Sequence, residues 1–125
     1  MEQSRGRCGV GKFNRGDVIY IPFPYTDFSH VKVRPAVVLA TMPGEDFLIC
    51  QITSQPVADS YATAITRADF EWGGLQLNSN VRANILMTVN SKLAINTVGR
   101  LKKDATNKVV ANVARLLGIL PSRQS

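Results

Sequence analysis

Histidine and cysteine are scarce in this 125-residue chain, which holds one His, His30, and two Cys, Cys8 and Cys50. One imidazole and two distant thiols cannot assemble a tetrahedral Cys/His zinc site within a single chain, so no bound metal is expected. Long apolar runs are missing too. The longest purely aliphatic stretch, Ala36 to Ala40, falls far short of the roughly 20 residues a membrane helix needs, which excludes a spanning segment. The first sixteen residues are polar and basic with no apolar h-region. That predicts no secretory signal, a cytoplasmic protein and reduced cysteines. Carboxylates are also few: 15 Lys+Arg face 9 Asp+Glu, for a net charge of +6. What is present in quantity is apolar residues, at 45%, enough for one compact domain with a core that needs no disulfide.

The positive charge is unevenly spread. Residues 1–16 carry four cations and one carboxylate, residues 17–90 four and seven, and residues 91–125 seven and one. A basic excess of this kind fits a polyanionic or acidic partner, and equally a solvated basic surface.

Residues 1–15 hold three Gly and four basic side chains and read as a flexible basic leader. The folded domain is predicted over 16–120, with a short tail at 121–125. Asp17-Val18-Ile19-Tyr20-Ile21 is β-branched and aromatic, a strand stopped by Pro22 and Pro24. Arg34 to Ala40 and Phe47 to Thr53 read as paired buried strands joined by a turn at Pro43-Gly44. Pro35 is expected at the first residue of its strand or on an edge. Tyr61 to Thr66 suggests a further strand, with Trp72-Gly73-Gly74 as a turn. Ser79 to Val89 mixes strand and helix character, and Ile95 to Leu101 reads as another strand. Val109, Val110, Val113, Leu116, Leu117 and Leu120 recur at helical spacing, with Asp104 as N-cap and Gly118 and Pro121 as stops.

Three constellations bear on chemistry. Gly6 to Lys12 matches the GxxxxGK part of a phosphate-binding loop, but Phe13 stands where the hydroxyl belongs, and no strand-to-helix turn surrounds it. No nucleotide cofactor follows from it. His30 lies in a polar loop, as either a solvated side chain or a general acid/base. Arg34 opens one buried strand while Thr53 and Ser54 close the next. If those strands are antiparallel neighbours, a guanidinium and two hydroxyls converge at one sheet end, suited to a phosphodiester and to proton relay. The plainer alternative is an Arg capping a strand beside two turn-forming hydroxyls.

Several segments in order resemble the MazF/PemK (Kid) toxins of bacterial toxin–antitoxin pairs. Arg15-Gly16-Asp17 through Pro22-Phe23-Pro24-Tyr25-Thr26-Asp27 is similar to the family's "GDI…PF…TD" strand and loop. Lys32-Val33-Arg34-Pro35-Ala36-Val37-Val38-Leu39 resembles "KxRPAVVL", Ile52-Thr53-Ser54-Gln55 resembles "ITSQ", and Val98-Gly99-Arg100-Leu101 resembles "IGRL". Ser79-Asn80-Val81-Arg82-Ala83-Asn84 with Thr88-Val89 is similar to "SxVRxD…TL". The resemblance spans about residues 15–120 and implies a small five-stranded, partly closed, SH3-like antiparallel barrel with a C-terminal helix, usually a homodimer.

The implied activity is cofactor-free, metal-independent and sequence-selective cleavage of single-stranded RNA to 2′,3′-cyclic phosphate and 5′-OH ends. Arg34 would stabilise or protonate the phosphate and Thr53 would relay a proton and position the substrate. Arg82 and His30 are accessory candidates. Ser54, Gln55, Tyr25, Phe23, Lys32 and Asn84 are candidate RNA contacts, with aromatic faces available for base stacking. An acidic antitoxin peptide is the implied protein partner. Asn84 stands where the PemK-like branch has an acid, and a neutral amide cannot accept the 2′-OH proton as a carboxylate can. Two alternatives follow: a catalytically weak RNA- or antitoxin-binding homologue, and a non-enzymatic gyrase poison of the CcdB type.

Overall fold

The computed structural model describes residues 13–24 and 31–119. Among them, seven strands and one helix follow in chain order: β1 (Asp17–Pro24), β2 (Val31–Thr41), β3 (Asp46–Thr53), β4 (Ala62–Ile65), β5 (Phe70–Gly73), β6 (Ser79–Asn90), β7 (Asn96–Leu101) and α1 (Lys103–Leu116). All pairings are antiparallel in one sheet of order β4-β6-β3-β2-β1-β7-β5, which curls into a half-barrel. The count is seven rather than five because short strands β4 and β5 finish the two edges.

Alternation along the central strands splits the apolar side chains between two cores. Val18, Val37, Cys50, Ile52, Val81 and Leu101 form the first, and α1 covers it with Ala105, Val109 and Val113. Ile19, Ile21, Phe23, Ala36, Val38, Phe47, Ile49 and Val89 form the second. The Ile and Val side chains at the centre are fully buried. Each contributes about 1.5–3 kcal/mol on transfer from water.

The prolines do not stop β1, which runs on through Pro22 to Pro24. The β7 register ends at Tyr20, so beyond it β1 has a partner on one side only and a missing N–H costs little. Pro35 likewise sits inside β2 rather than at its start, opposite Tyr20, at a point where the β3 ladder has not yet begun. It is locally an edge residue, as its chemistry requires.

Trp72-Gly73 is not a turn but the end of β5, paired with Arg100 and Gly99. A Cβ on Gly99 would stand 2.7 Å from the Trp72 carbonyl oxygen, so the strands meet this closely only because the residue is glycine. Ser79–Asn90 proves to be one long strand. Its register against β3 jumps from Leu86↔Cys50 to Arg82↔Gln51, leaving Ala83, Asn84 and Ile85 in a wide bulge that breaks the period of two.

Asp104 is not the helix cap. Lys102 holds that position without a side-chain hydrogen bond, and Asp104 lies in the first turn, where its charge favours the helix dipole. At the other end Gly118 adopts φ 82°. Its N–H donates to the Arg115 carbonyl and that of Ile119 to the Ala114 carbonyl, a Schellman stop. Leu120 and the tail lie outside the described residues, as do residues 1–12. Phe13, three residues before Gly16, is already packed, its ring stacked on Phe47.

Candidate active site

The β2/β3 ladder closes at Ala36↔Gln51, next to Pro35, which has no N–H to extend it. Carried two residues further, the same register sets Arg34 across from Thr53. Arg34 is held from the other side by Ile21 of β1, and Thr53 by Asn80 of β6. The two strands are therefore antiparallel neighbours, and the guanidinium and hydroxyl meet at the edge formed where the central strand β3 ends.

That edge opens on a cleft of about 450 Å³. Tyr20, Arg34 and Pro35 line one side, Ile52, Thr53 and Ser54 another, and Gly74 to Leu77 with Ser79 and Val98 the third. Thr53 Oγ1 accepts the Gln55 N–H at 3.1 Å, and Asn80 Nδ2 donates to the Gln55 carbonyl at 3.4 Å, which fixes the chain just past β3. Arg67 Nη1 donates to the Leu75 carbonyl at 3.3 Å and Ser79 Oγ to the Leu77 carbonyl at 2.9 Å, so the third wall is also held by hydrogen bonds. The apolar floor of Ile52, Leu75 and Val98 lowers the local dielectric. Charge-assisted hydrogen bonds made by Arg34 gain strength there. Among the described residues the lining holds no carboxylate and no imidazole.

Arg34, Thr53 and Ser54 thus meet in one cleft, and Gln55 borders it through its bond to Thr53. Lys32 lies two residues before Arg34 on the same face of β2, exposed, roughly 7 Å along the strand. Arg82 pairs with Gln51, diagonal to Thr53, and buries its Nε with no hydrogen-bond partner among the described residues. Asn84 is exposed in the β6 bulge and does not line the cleft.

Phe23 is a correction. At 5% exposure its ring belongs to the second core, packed with Ile21 and Ile19, and offers no face to a base. Tyr25 and His30 lie outside the described residues. Tyr20 is the aromatic side chain that does reach the cleft. The wall from Gly74 to Ser79 is not expected from the sequence, in which Trp72-Gly73-Gly74 reads as a turn. The signal was Leu77, an apolar residue in a polar stretch, which is 66% exposed.

A profile of the PemK-like, MazF-like toxin of type II toxin–antitoxin systems matches residues 14–117. The chain belongs to that toxin family. Among curated proteins none matches. The chain's fold is similar to that of an endoribonuclease from a mycobacterial species, with a TM-score of 0.66 and 18% identity over 87% of this chain and 93% of that one. It is also similar to a mycobacterial endoribonuclease in complex with its cognate antitoxin, with a TM-score of 0.68 and 18% identity over 87% and 97%. A MazE–MazF complex from Deinococcus radiodurans gives a TM-score of 0.67 and 18% identity over 86% and 97%.

In this toxin-family chain Cys50 is fully buried, and burial pushes its thiol up to about 12, so no thiolate forms there near neutral pH. No helix among the described residues is long and apolar enough to cross a membrane.

Proposed function

We propose that the protein is the toxin of a type II pair and cuts single-stranded RNA at selected sequences. The observation that carries this reading is the convergence of Arg34, Thr53 and Ser54 on one cleft with an aromatic side chain, Tyr20, in its wall. The nucleophile is the substrate's own 2′-OH. It attacks the adjacent phosphorus, the 5′-oxygen departs with a proton, and the products are a 2′,3′-cyclic phosphate and a 5′-OH end. The route needs a proton acceptor, a proton donor and charge stabilisation, and draws on no metal.

Arg34 spans the non-bridging oxygens, whose charge grows in the pentacovalent transition state. Thr53, whose oxygen accepts the Gln55 N–H, takes up the 2′-OH proton as it passes its own hydroxyl proton to a phosphate oxygen, from which the proton leaves on the departing 5′-oxygen. Ser54 and Gln55 contact the RNA, Lys32 adds positive potential along the same strand face, and Arg82 supports the site from beside Thr53. The working form is a homodimer, and an acidic antitoxin segment neutralises it in the manner suggested by the antitoxin complex among the similar structures.

A second reading, a homologue that binds RNA or antitoxin without cutting, is favoured by the lack of a carboxylate or imidazole in the lining described and by Asn84. Incubating long single-stranded RNA with the protein in EDTA, beside Arg34→Ala and Thr53→Ala, separates the two. Discrete cuts with cyclic-phosphate and 5′-OH ends, lost in both variants, establish the nuclease. Intact RNA that is nonetheless bound establishes the other.

A further inference from the structure

At the far end of the β2–β3 hairpin from the cleft, the turn leading into Asp46 borders a second cavity of about 460 Å³. Asp46 and Thr53 stand at opposite ends of β3, so the two openings are separated by roughly 24 Å of strand. Phe13, Phe47, Glu45, Asp46 and Ser91 are among the residues around it.

Ser91 is 4% exposed, and its Oγ is buried without a hydrogen-bond partner among the described residues. Its N–H is already given to the Glu45 carbonyl, at 2.6 Å, which fixes the residue against the cavity. A buried hydroxyl left unpaired is costly, a cost that a bound donor or acceptor removes. Glu45 and Asp46 are both exposed, and among the described residues no Lys or Arg shares the lining. Asp46 Oδ1 accepts one bond, from Asn90 Nδ2 at 3.2 Å, leaving its other acceptor positions open. Phe13 lies nearly parallel to Phe47, centroids 5.4 Å apart at 12°; Phe47 is buried behind it and Phe13 stays half-exposed.

We propose that this cavity binds a guanidinium group, the head of an arginine. The planar fork matches carboxylate acceptors, an aromatic wall attracts a delocalised cation, and the Ser91 hydroxyl accepts a remaining N–H. A nucleotide is disfavoured because its phosphates would meet Glu45 and Asp46. An ammonium lacks both the fork and the planar face. Free arginine and an arginine presented by a polypeptide share this chemistry.

The test is to titrate the full-length protein with N-acetyl-arginine-methylamide, its lysine counterpart and the peptide acetyl-Ala-Arg-Ala-amide, following backbone amide NMR shifts. Saturable shifts at Glu45, Asp46 and Ser91 are expected with both arginine probes, and binding on the order of tenfold weaker with lysine. Glu45→Gln combined with Asp46→Asn abolishes the shifts. Ser91→Ala weakens binding about fivefold while its unfolding midpoint stays level or rises, because the unpaired hydroxyl is gone. Free L-arginine titrated alongside separates the sources: tighter binding than the blocked residue identifies the free amino acid, and weaker or equal binding an arginine held in a polypeptide. No saturation with either arginine probe, equal response to lysine, or indifference to the variants overturns the proposal.

Discussion

Arg100 Nε donates to Asp17 Oδ1 at 2.7 Å, tying β7 to β1, and the same carboxylate accepts the Asn14 N–H through Oδ2 at 2.9 Å. Asp17 is 3% exposed, so its charge sits where water cannot compensate for a lost partner. Asp17→Asn is expected to destabilise the fold by about 1–3 kcal/mol, lowering the thermal midpoint by roughly 4–12 °C. RNA cleavage per folded molecule should be unchanged, since Asp17 does not line the cleft. Thermal unfolding and cleavage at 25 °C check the two halves separately.

The Arg34 role predicts a difference between charge and fork. Arg34→Lys keeps the cation but loses the planar pair of donors, so cleavage should fall by about 10²-fold or more while RNA affinity falls far less. Single-turnover rates at saturating protein, set beside binding at the same salt concentration, read this directly. A lysine variant that cuts at the wild-type rate would show that Arg34 supplies charge alone.

The β5–β7 approach predicts a coupling between strand packing and the cleft. In Gly99→Ala the new methyl would stand 2.7 Å from the Trp72 carbonyl oxygen and 2.8 Å from the Gly74 amide nitrogen. Gly74 begins the third wall of the cleft. The variant should therefore lose about 2 kcal/mol or more of stability and also cut RNA more slowly when folded. Denaturant midpoints and single-turnover cleavage at low temperature give both quantities.

The legible parts of the chain were those whose signals are local. Residues 36–40 are wholly apolar and 47–53 nearly so, broken only by Gln51 before Thr53, so β2 and β3 read as paired strands; the meeting of Arg34 and Thr53 follows only once that pairing is antiparallel, which the ladder shows. Asp17 and Arg100 stood out as motif residues, but their ion pair spans the chain and no local pattern encodes it. β5 is hidden because it has only four residues and ends in Trp72-Gly73, which with Gly74 reads as a turn, although Gly73 pairs with Gly99 of β7. The β6 bulge at Ala83–Ile85 erased the alternation that would have marked a long strand. Phe23 belongs to the second core, and an aromatic near a loop looks the same in sequence whether it faces solvent or that core.

Cys50 supplies a test of burial through pH. Desolvation raises its thiol from 9.0 to about 12 in the folded state, so as pH rises past 9 the unfolded chain gives up this proton first. The folded state then binds more protons than the unfolded one, and stability falls with pH, by at most about 1.4 kcal/mol per pH unit from this group, until the folded thiol also ionises. Below pH 9 the contribution is constant. Lys and Tyr titrate in the same range, so the informative quantity is the difference from Cys50→Ala, which keeps those groups and removes the thiol. At pH 7 the alanine variant should be less stable, having lost a fully buried side chain of the first core. Between pH 9 and about 11 that deficit should shrink steadily, as measured by urea unfolding at pH 7, 9 and 10.5. A deficit independent of pH would mean that water reaches the Cys50 sulfur and that the sheet centre is less tightly closed than its packing indicates.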